Sequence, residues 1–218
     1  SDHIQNTYPV YKDLASCQEQ VDVVIDFASA QAVDALLDYC AERQIPCVLC
    51  TTGLSKEQLA HVEEASKKVA VLRSANMSVG INLLQKLLRE AAPVLADAGF
   101  DIEIVEKHHN QKLDAPSGTA VALADSINGA LADEYAYVYD RSARRELRPQ
   151  KEIGISAVRG GTIVGDHDVI FAVTDEVITL SHRAYSRTVF GKGAIQAAKY
   201  LAGKSAGLYD MSDVIDGE

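Results

Sequence analysis

VDVVIDFASAQAVDALLDYCAERQIPCVLCTTGLSKEQLAHVEEASKKVAVLR, residues 21–73, is the stretch on which the reading of the fold turns. Its apolar residues gather in short runs at 21–27, 46–50 and 69–73, and between the first two they recur at helical spacing, at Val33, Leu36, Leu37 and Ala41. Short apolar runs separated by periodic segments predict strand, helix, strand. Ser55, followed three residues later by Gln58, is a capping box that opens a second helix running to Lys68. The resulting βαβαβ unit makes a parallel sheet with right-handed crossovers, which holds ligands beyond the carboxyl ends of its strands. Those ends are Phe27-Ala28-Ser29, Cys50-Thr51-Thr52-Gly53 and Ser74-Ala75-Asn76. They are small and polar, as close backbone approach of a cofactor requires, although such residues also cap helices.

Beyond residue 77 the alternation stops. Residues 78–98 form one long amphipathic helix, with Ile81, Leu84, Leu88 and Leu95 on a face and Gly99 as its stop. DIEIVE at 101–106 is a strict period-two strand. After a helix opened by Ser117 come strand candidates at 153–159, 168–174 and 176–182, and a last helix at 191–201. Consecutive strands joined by short turns give a mixed sheet, so the fold class is α/β followed by α+β. Residues 1–12, polar and holding Pro9, read as a connector.

The 218 residues carry 21 Lys and Arg against 31 Asp and Glu, a formal charge of −10 that argues against nucleic acid or an anionic membrane as the main partner. No apolar stretch approaches the roughly 20 residues of a bilayer span, and no secretory signal opens the chain, so a soluble cytoplasmic protein is expected. Cys17, Cys40, Cys47 and Cys50 are bunched in the first quarter rather than spread as staples, which predicts reduced thiols.

Functional side chains are densest in EKHHNQKLDAPSGTA at 106–120, between a strand and a helix. Pro116-Ser117-Gly118-Thr119 sets backbone N–H groups and two hydroxyls at a helix start, a ready anion site. Lys112 can add a positive charge or a proton, and His108 or His109 can serve as general acid or base. Adjacent strand residues point to opposite faces, so only one of the two histidines should face the site, which argues against a chelating pair. A serine hydrolase built on Ser117, His108 and Asp114 lacks the G-x-S-x-G elbow.

This run resembles the signature of the dihydrodipicolinate reductases, E-x-H-H-x-x-K-x-D-A-P-S-G-T, at Glu106, His108, His109, Lys112, Asp114, Ala115, Pro116, Ser117, Gly118 and Thr119. VVIDFAS, CTTGLS, SANMSVGIN, RGGTIVGDHDVIF, SRTVFGKGA and AGLYDMSDVID resemble further blocks of that family, in its order. The resemblance implies an NADH- or NADPH-dependent reductase of lysine and diaminopimelate synthesis, acting on a small dicarboxylate and assembled as a homotetramer. It implies His108 as acid/base, Lys112 as proton donor, and His109 with Ser117, Gly118 and Thr119 as ligands of the dicarboxylate. Nicotinamide contacts are implied at Cys50, Thr51 and Thr52 and at Ser74, Ala75, Asn76 and Met77, where Cys50 departs from the family's Gly and Met77 from its aromatic residue. It further implies a partial nucleotide-binding domain at 1–77 and 187–218, a substrate and tetramerisation domain at 78–186, and hinges near Met77-Ser78 and Ser186-Arg187. The family's opening strand, Gly-rich turn and helix have no counterpart before Val21, so roughly 30 residues are expected upstream of Ser1. Without them, a non-catalytic dicarboxylate-binding relative is the alternative.

The remaining motifs have plainer readings. Gly191-Lys192-Gly193 reads as a helix start rather than a nucleotide fingerprint. Cys47 and Cys50, on opposite sides of a strand, read as small apolar side chains. His61 reads as solvated, His167 and His182 as packing or solvent residues, and Arg141, Arg144, Arg145 and Arg148 as a solvated basic loop.

Overall fold

The short apolar runs of 21–73 become strands, and the periodic segments between them become helices. The computed structural model describes residues 8–217, so the first part of the expected connector lies outside the described residues. In chain order the elements are β1 (Val24–Asp26), α1 (Val33–Arg43), β2 (Cys47–Leu49), α2 (Lys56–Ser66), β3 (Ala70–Arg73), α3 (Val79–Asp97), β4 (Asp101–His108), α4 (Gly118–Ala130), β5 (Ala136–Val138), β6 (Glu152–Arg159), β7 (Gly165–Val173), β8 (Glu176–Ala184), α5 (Thr188–Leu201), β9 (Gly207–Tyr209) and α6 (Met211–Asp216). They fall into two units, the described residues up to 73 with 197–209, and 74–196 with the residues from 210 onward.

The first unit is a parallel sheet in the order β1-β2-β3-β9. Helix α1 buries Val33, Leu36, Leu37 and Cys40, one face at i, i+3, i+4 and i+7, and stops where Gln44 turns left-handed at φ 55°. The capping box of α2 forms as expected, Ser55 accepting from the Gln58 N–H and Gln58 from the Ser55 N–H. His61 is not merely solvated: its ring nitrogens lie 2.8 Å from Asp34 and 3.2 Å from Asp38, tying α2 to α1. The Asp34 hydrogen bond raises its pKa above the ordinary value for histidine. Strand β9 was unforeseen because three residues beginning with Gly207 show no alternation to read.

The second unit is a mixed sheet in the order β5-β6-β4-β7-β8, with β4 parallel to β6 and antiparallel to β7. Along β4 burial alternates without exception, so Ile102, Ile104, Glu106 and His108 share the covered face. Ile102 and Ile104 pack with Leu84 and Leu88 of α3 and with Leu123 and Ile127 of α4. Gly99, at φ 85°, lets the chain leave α3 and enter β4. The arginine-rich loop is a correction to the solvated reading. Arg141 pairs with Glu103 and Glu152, Arg144 with Glu152, and Arg148 with Glu103 and Asp101, which pins the loop to β4 and β6. Their carboxylate partners are remote in sequence or carried on neighbouring strands, so the charge run alone did not show the pairing.

Gly191 and Gly193 also need correction, since both lie inside α5 rather than at its start. A Cβ on Gly193 would fall 1.7 Å from the backbone oxygen of Met77, whereas one on Gly191 would meet nothing within 4 Å. Backbone cannot swing aside as a side chain can. Gly193→Ala is therefore expected to destabilise the protein by about 1–3 kcal/mol or more through overpacking. Gly191→Ala should be neutral or stabilising by up to about 1 kcal/mol, since Ala is the better helix former. Thermal denaturation of the two variants side by side checks this, and equal midpoints would contradict it.

Candidate active site

The alternation that builds the core beneath β4 carries two polar side chains into it as its next inward positions. A carboxylate in that place must be fully paired. Glu106 is wholly buried, and its two oxygens take four hydrogen bonds: from Arg159 at 2.8 and 2.7 Å, from the Ser117 backbone N–H at 2.9 Å, and from His108 Nδ1 at 2.6 Å. Burial pushes the Glu106 carboxyl up, but the bonds from Arg159, His108 and Ser117 together outweigh it and hold it below the ordinary glutamate range. An ionised carboxylate only accepts, so His108 Nδ1 carries a proton. The other ring nitrogen of His108, Nε2, has no hydrogen-bond partner among the described residues. It faces the backbone of Gly165, where a Cβ would stand 3.0 Å away.

Ser117 caps α4, its Oγ accepting from the Ala120 N–H, as the sequence predicts. The same oxygen lies 3.2 Å from Nε2 of His167, a residue read beforehand as packing or solvent. His167 is buried and packs edge-on against His108, with ring centroids 5.2 Å apart. Burial, then the neighbouring His108, pushes its pKa down to about 4, so at neutral pH it is an uncharged ring. Lys112 forms a 2.8 Å ion pair with Asp114, whose carboxyl that contact holds below the usual aspartate range. The Gly118 N–H also faces Asp114.

Of the residues singled out in the sequence, His108 and Ser117 meet through Glu106, and Lys112 meets the α4 start through Asp114. Thr119 accepts a 3.0 Å hydrogen bond from Asn76. His109, just past the end of β4, lines a cavity of about 290 Å³ with Asn110, Gln111, Thr162 and Arg187. In the first unit, Thr51 is buried with its hydroxyl 2.5 Å from Asp26, Thr52 is exposed, and Cys50 is half-buried. Ser74 reaches Asn82, Ala75 is exposed, and Met77 is buried. All four cysteines are free thiols.

Glu106, Arg159 and His167 escaped notice as a set. Glu106 was legible as a carboxylate on the inward phase of a strand. His167 has the same signal on β7, where it shares the inward phase with Val169 and Phe171. Arg159 lies 53 residues from its partner, and nothing local marks it.

Two family profiles match the chain, "Dihydrodipicolinate reductase, N-terminus" over residues 2–77 and "Dihydrodipicolinate reductase, C-terminus" over residues 80–215. A 4-hydroxy-tetrahydrodipicolinate reductase of Caldanaerobacter subterraneus subsp. tengcongensis is 59% identical over 95% of this chain and 82% of its own length. One from Clostridium novyi is 49% identical over the same shares. Among solved structures, a dipicolinate-bound dihydrodipicolinate reductase from Paenisporosarcina sp. TG-14 is 27% identical with a TM-score of 0.69, covering 87% of this chain and 71% of that one.

Proposed function

Since this chain belongs to the dihydrodipicolinate reductase family, we propose that it reduces 4-hydroxy-tetrahydrodipicolinate to tetrahydrodipicolinate with NADH or NADPH, in lysine and diaminopimelate synthesis. The observation that supports this most is the buried Glu106–His108 pair beside the start of α4, an acid/base group next to anion-binding backbone. The non-catalytic alternative is not favoured, because relatives at 47–59% identity over most of the chain are named as the reductase.

The residues present fit a nicotinamide nucleotide. Asp26 is buried, accepting from Thr51 and from the Ala28 N–H, so its carboxylate is held within the fold rather than presented at the exposed strand ends. Ala28, Ser29, Thr52 and Gly53 around it are exposed, small and open to close approach. We assign Thr51 and Thr52 with Cys50, and the backbone of 74–77, to holding it. When bound, the reduced nicotinamide supplies the hydride. Thr119 and the Gly118 N–H bind one substrate carboxylate at the positive end of α4, and Lys112 adds its ammonium to the same anion, the substrate taking the place on Gly118 and Lys112 that the Asp114 carboxylate holds in this structure. His109 and the cavity it lines take the second carboxylate. His108 exchanges a proton at Nε2 as the 4-hydroxyl leaves as water, while Glu106 holds Nδ1 protonated, and Lys112 donates the proton that the substrate ring takes up together with the hydride. His167, kept neutral by burial, adds no competing charge beside His108.

A homotetramer in the cytoplasm is inferred from the family resemblance; among the described residues no helix is long and apolar enough to cross a membrane. The test is oxidation of NADH and of NADPH by the full-length gene product, with substrate made enzymatically from pyruvate and aspartate semialdehyde. Turnover with either nucleotide is expected. Substrate-independent rates with both would overturn the assignment.

A further inference from the structure

The side chain of Asn76 makes two contacts whose chemistry fixes its orientation. Its Oδ1 lies 2.8 Å from the backbone N of Ser78, and its Nδ2 lies 3.0 Å from Oγ1 of Thr119. A backbone N–H can only donate, so the atom facing Ser78 must be the amide oxygen and the atom facing Thr119 must be the NH₂. Thr119 Oγ1 is therefore the acceptor in that contact. A hydroxyl whose lone pair is engaged in this way still has its own proton to give, and Thr119 gives it to no described residue.

The loop that carries Asn76 is braced from below. Asn82, buried in the first turn of α3, donates to the backbone oxygens of Asn76 at 2.7 Å and of Ser78 at 2.8 Å. Asn76 is thus held with its NH₂ on Thr119 before any ligand arrives. Thr119 follows Gly118 in the first turn of α4, where backbone N–H groups lack helical partners.

We infer that Asn76 is a positioning residue for the substrate: by donating to Thr119 Oγ1 it commits that hydroxyl to act as a donor, so that Thr119 presents both O–H and N–H to a substrate carboxylate. The inference rests on the reading of Thr119 as a carboxylate ligand. It gives the side chain of Asn76 a task separate from the nicotinamide contacts assigned to its backbone.

The test uses Asn76→Asp, Asn76→Ala, Thr119→Val, Thr119→Ser and the double variant Asn76→Ala/Thr119→Val in the full-length protein. The readouts are substrate KM and kcat, the Kd of dipicolinate by calorimetry, and the Kd of NADH. Asn76→Asp keeps the acceptor for the Ser78 N–H and replaces the donor with a second acceptor that captures the Thr119 proton, but it also brings a negative charge beside the bound anion, so the neutral Asn76→Ala and its double variant with Thr119→Val decide the matter. Asn76→Asp should raise the dipicolinate Kd and the KM about tenfold to a hundredfold, as expected for a lost hydrogen bond to a charged group, a larger factor than any accompanying change in the Kd of NADH. Asn76→Ala and Thr119→Val should each raise Kd about tenfold, the double variant no further than Thr119→Val alone, and Thr119→Ser should restore binding. If Thr119→Val leaves both dipicolinate Kd and KM unchanged, Thr119 does not hold the carboxylate, and the underlying reading falls with the inference. If Thr119→Val weakens binding while the Asn76 variants leave it intact, add to it independently, or weaken NADH instead, the inference alone is wrong.

Discussion

Without its imidazole at position 108 the protein is expected to turn over about a hundredfold or more slowly, the scale of a lost general acid/base. The loss should lie in chemistry rather than folding. In His108→Ala the Glu106 carboxylate keeps both Arg159 bonds and the Ser117 N–H, three of its four hydrogen bonds. Circular dichroism and NADH affinity should therefore stay close to the parent while kcat falls. Lys112→Ala should lower kcat by a similar factor and also raise KM, because the proposal has the ammonium beside Asp114 serve the substrate anion as well as the proton. Steady-state kinetics at saturating NADH separate the two effects. Near-normal turnover in both variants would remove these side chains from the mechanism.

The second large effect is on stability. Removing the Glu106 side chain leaves a buried void beside an Arg159 guanidinium that is partly exposed and keeps the backbone oxygens of Val158 and Asp114, so the cost is at most that of a fully buried broken pair, about 3–5 kcal/mol. For a chain of this size that lowers the melting temperature by up to roughly 10 °C. Glu106→Gln should fold better, since the amide oxygen still accepts from Arg159, but its NH₂ must then oppose an Arg159 N–H or the His108 Nδ1–H. It should therefore lose turnover while keeping most of its stability. The pH dependence has a definite sign. Glu106 sits below the ordinary glutamate range, so its contribution is complete above the unfolded value of about 4.3 and is lost as pH falls through the lower folded value. Acid unfolding should be less steep in Glu106→Gln than in the parent. Identical acid limbs, or a Glu106→Ala melting temperature within a degree of the parent, would contradict this account.

What could be read in advance divides by range. The β4 alternation, the Ser55–Gln58 box and the Ser117 cap depend on residues within a few positions, and they form as expected. Strands β5 and β9 span three residues each and α6 six, too short for a period to register. Arg159 with Glu106, Arg148 with Asp101, and His167 with Ser117 are joined across 53, 47 and 50 residues, and only the pairing of strands brings them together. The basic loop illustrates the same limit. A run of arginines reads as solvent-facing until the carboxylates of Asp101, Glu103 and Glu152 are placed beneath it. Hydrogen-bond direction, as at Asn76, is invisible in sequence altogether, because it depends on which partner can only donate.

Ile102, Ile104, Glu106 and His108 occupy one uninterrupted inward phase of β4. Counting residues along that strand is therefore as consequential as choosing them. Losing a single residue between Phe100 and Glu106 would exchange the phases, sending Lys107 into the buried carboxylate's place and the imidazole out to the opposite face, and gaining one would put Val105 there instead. Point substitutions at the outward positions 101, 103, 105 and 107 leave that count untouched. Replacement at Val105 should thus be tolerated where a single-residue indel beside it is not, while Asp101, Glu103 and Lys107 also carry ion pairs to other segments.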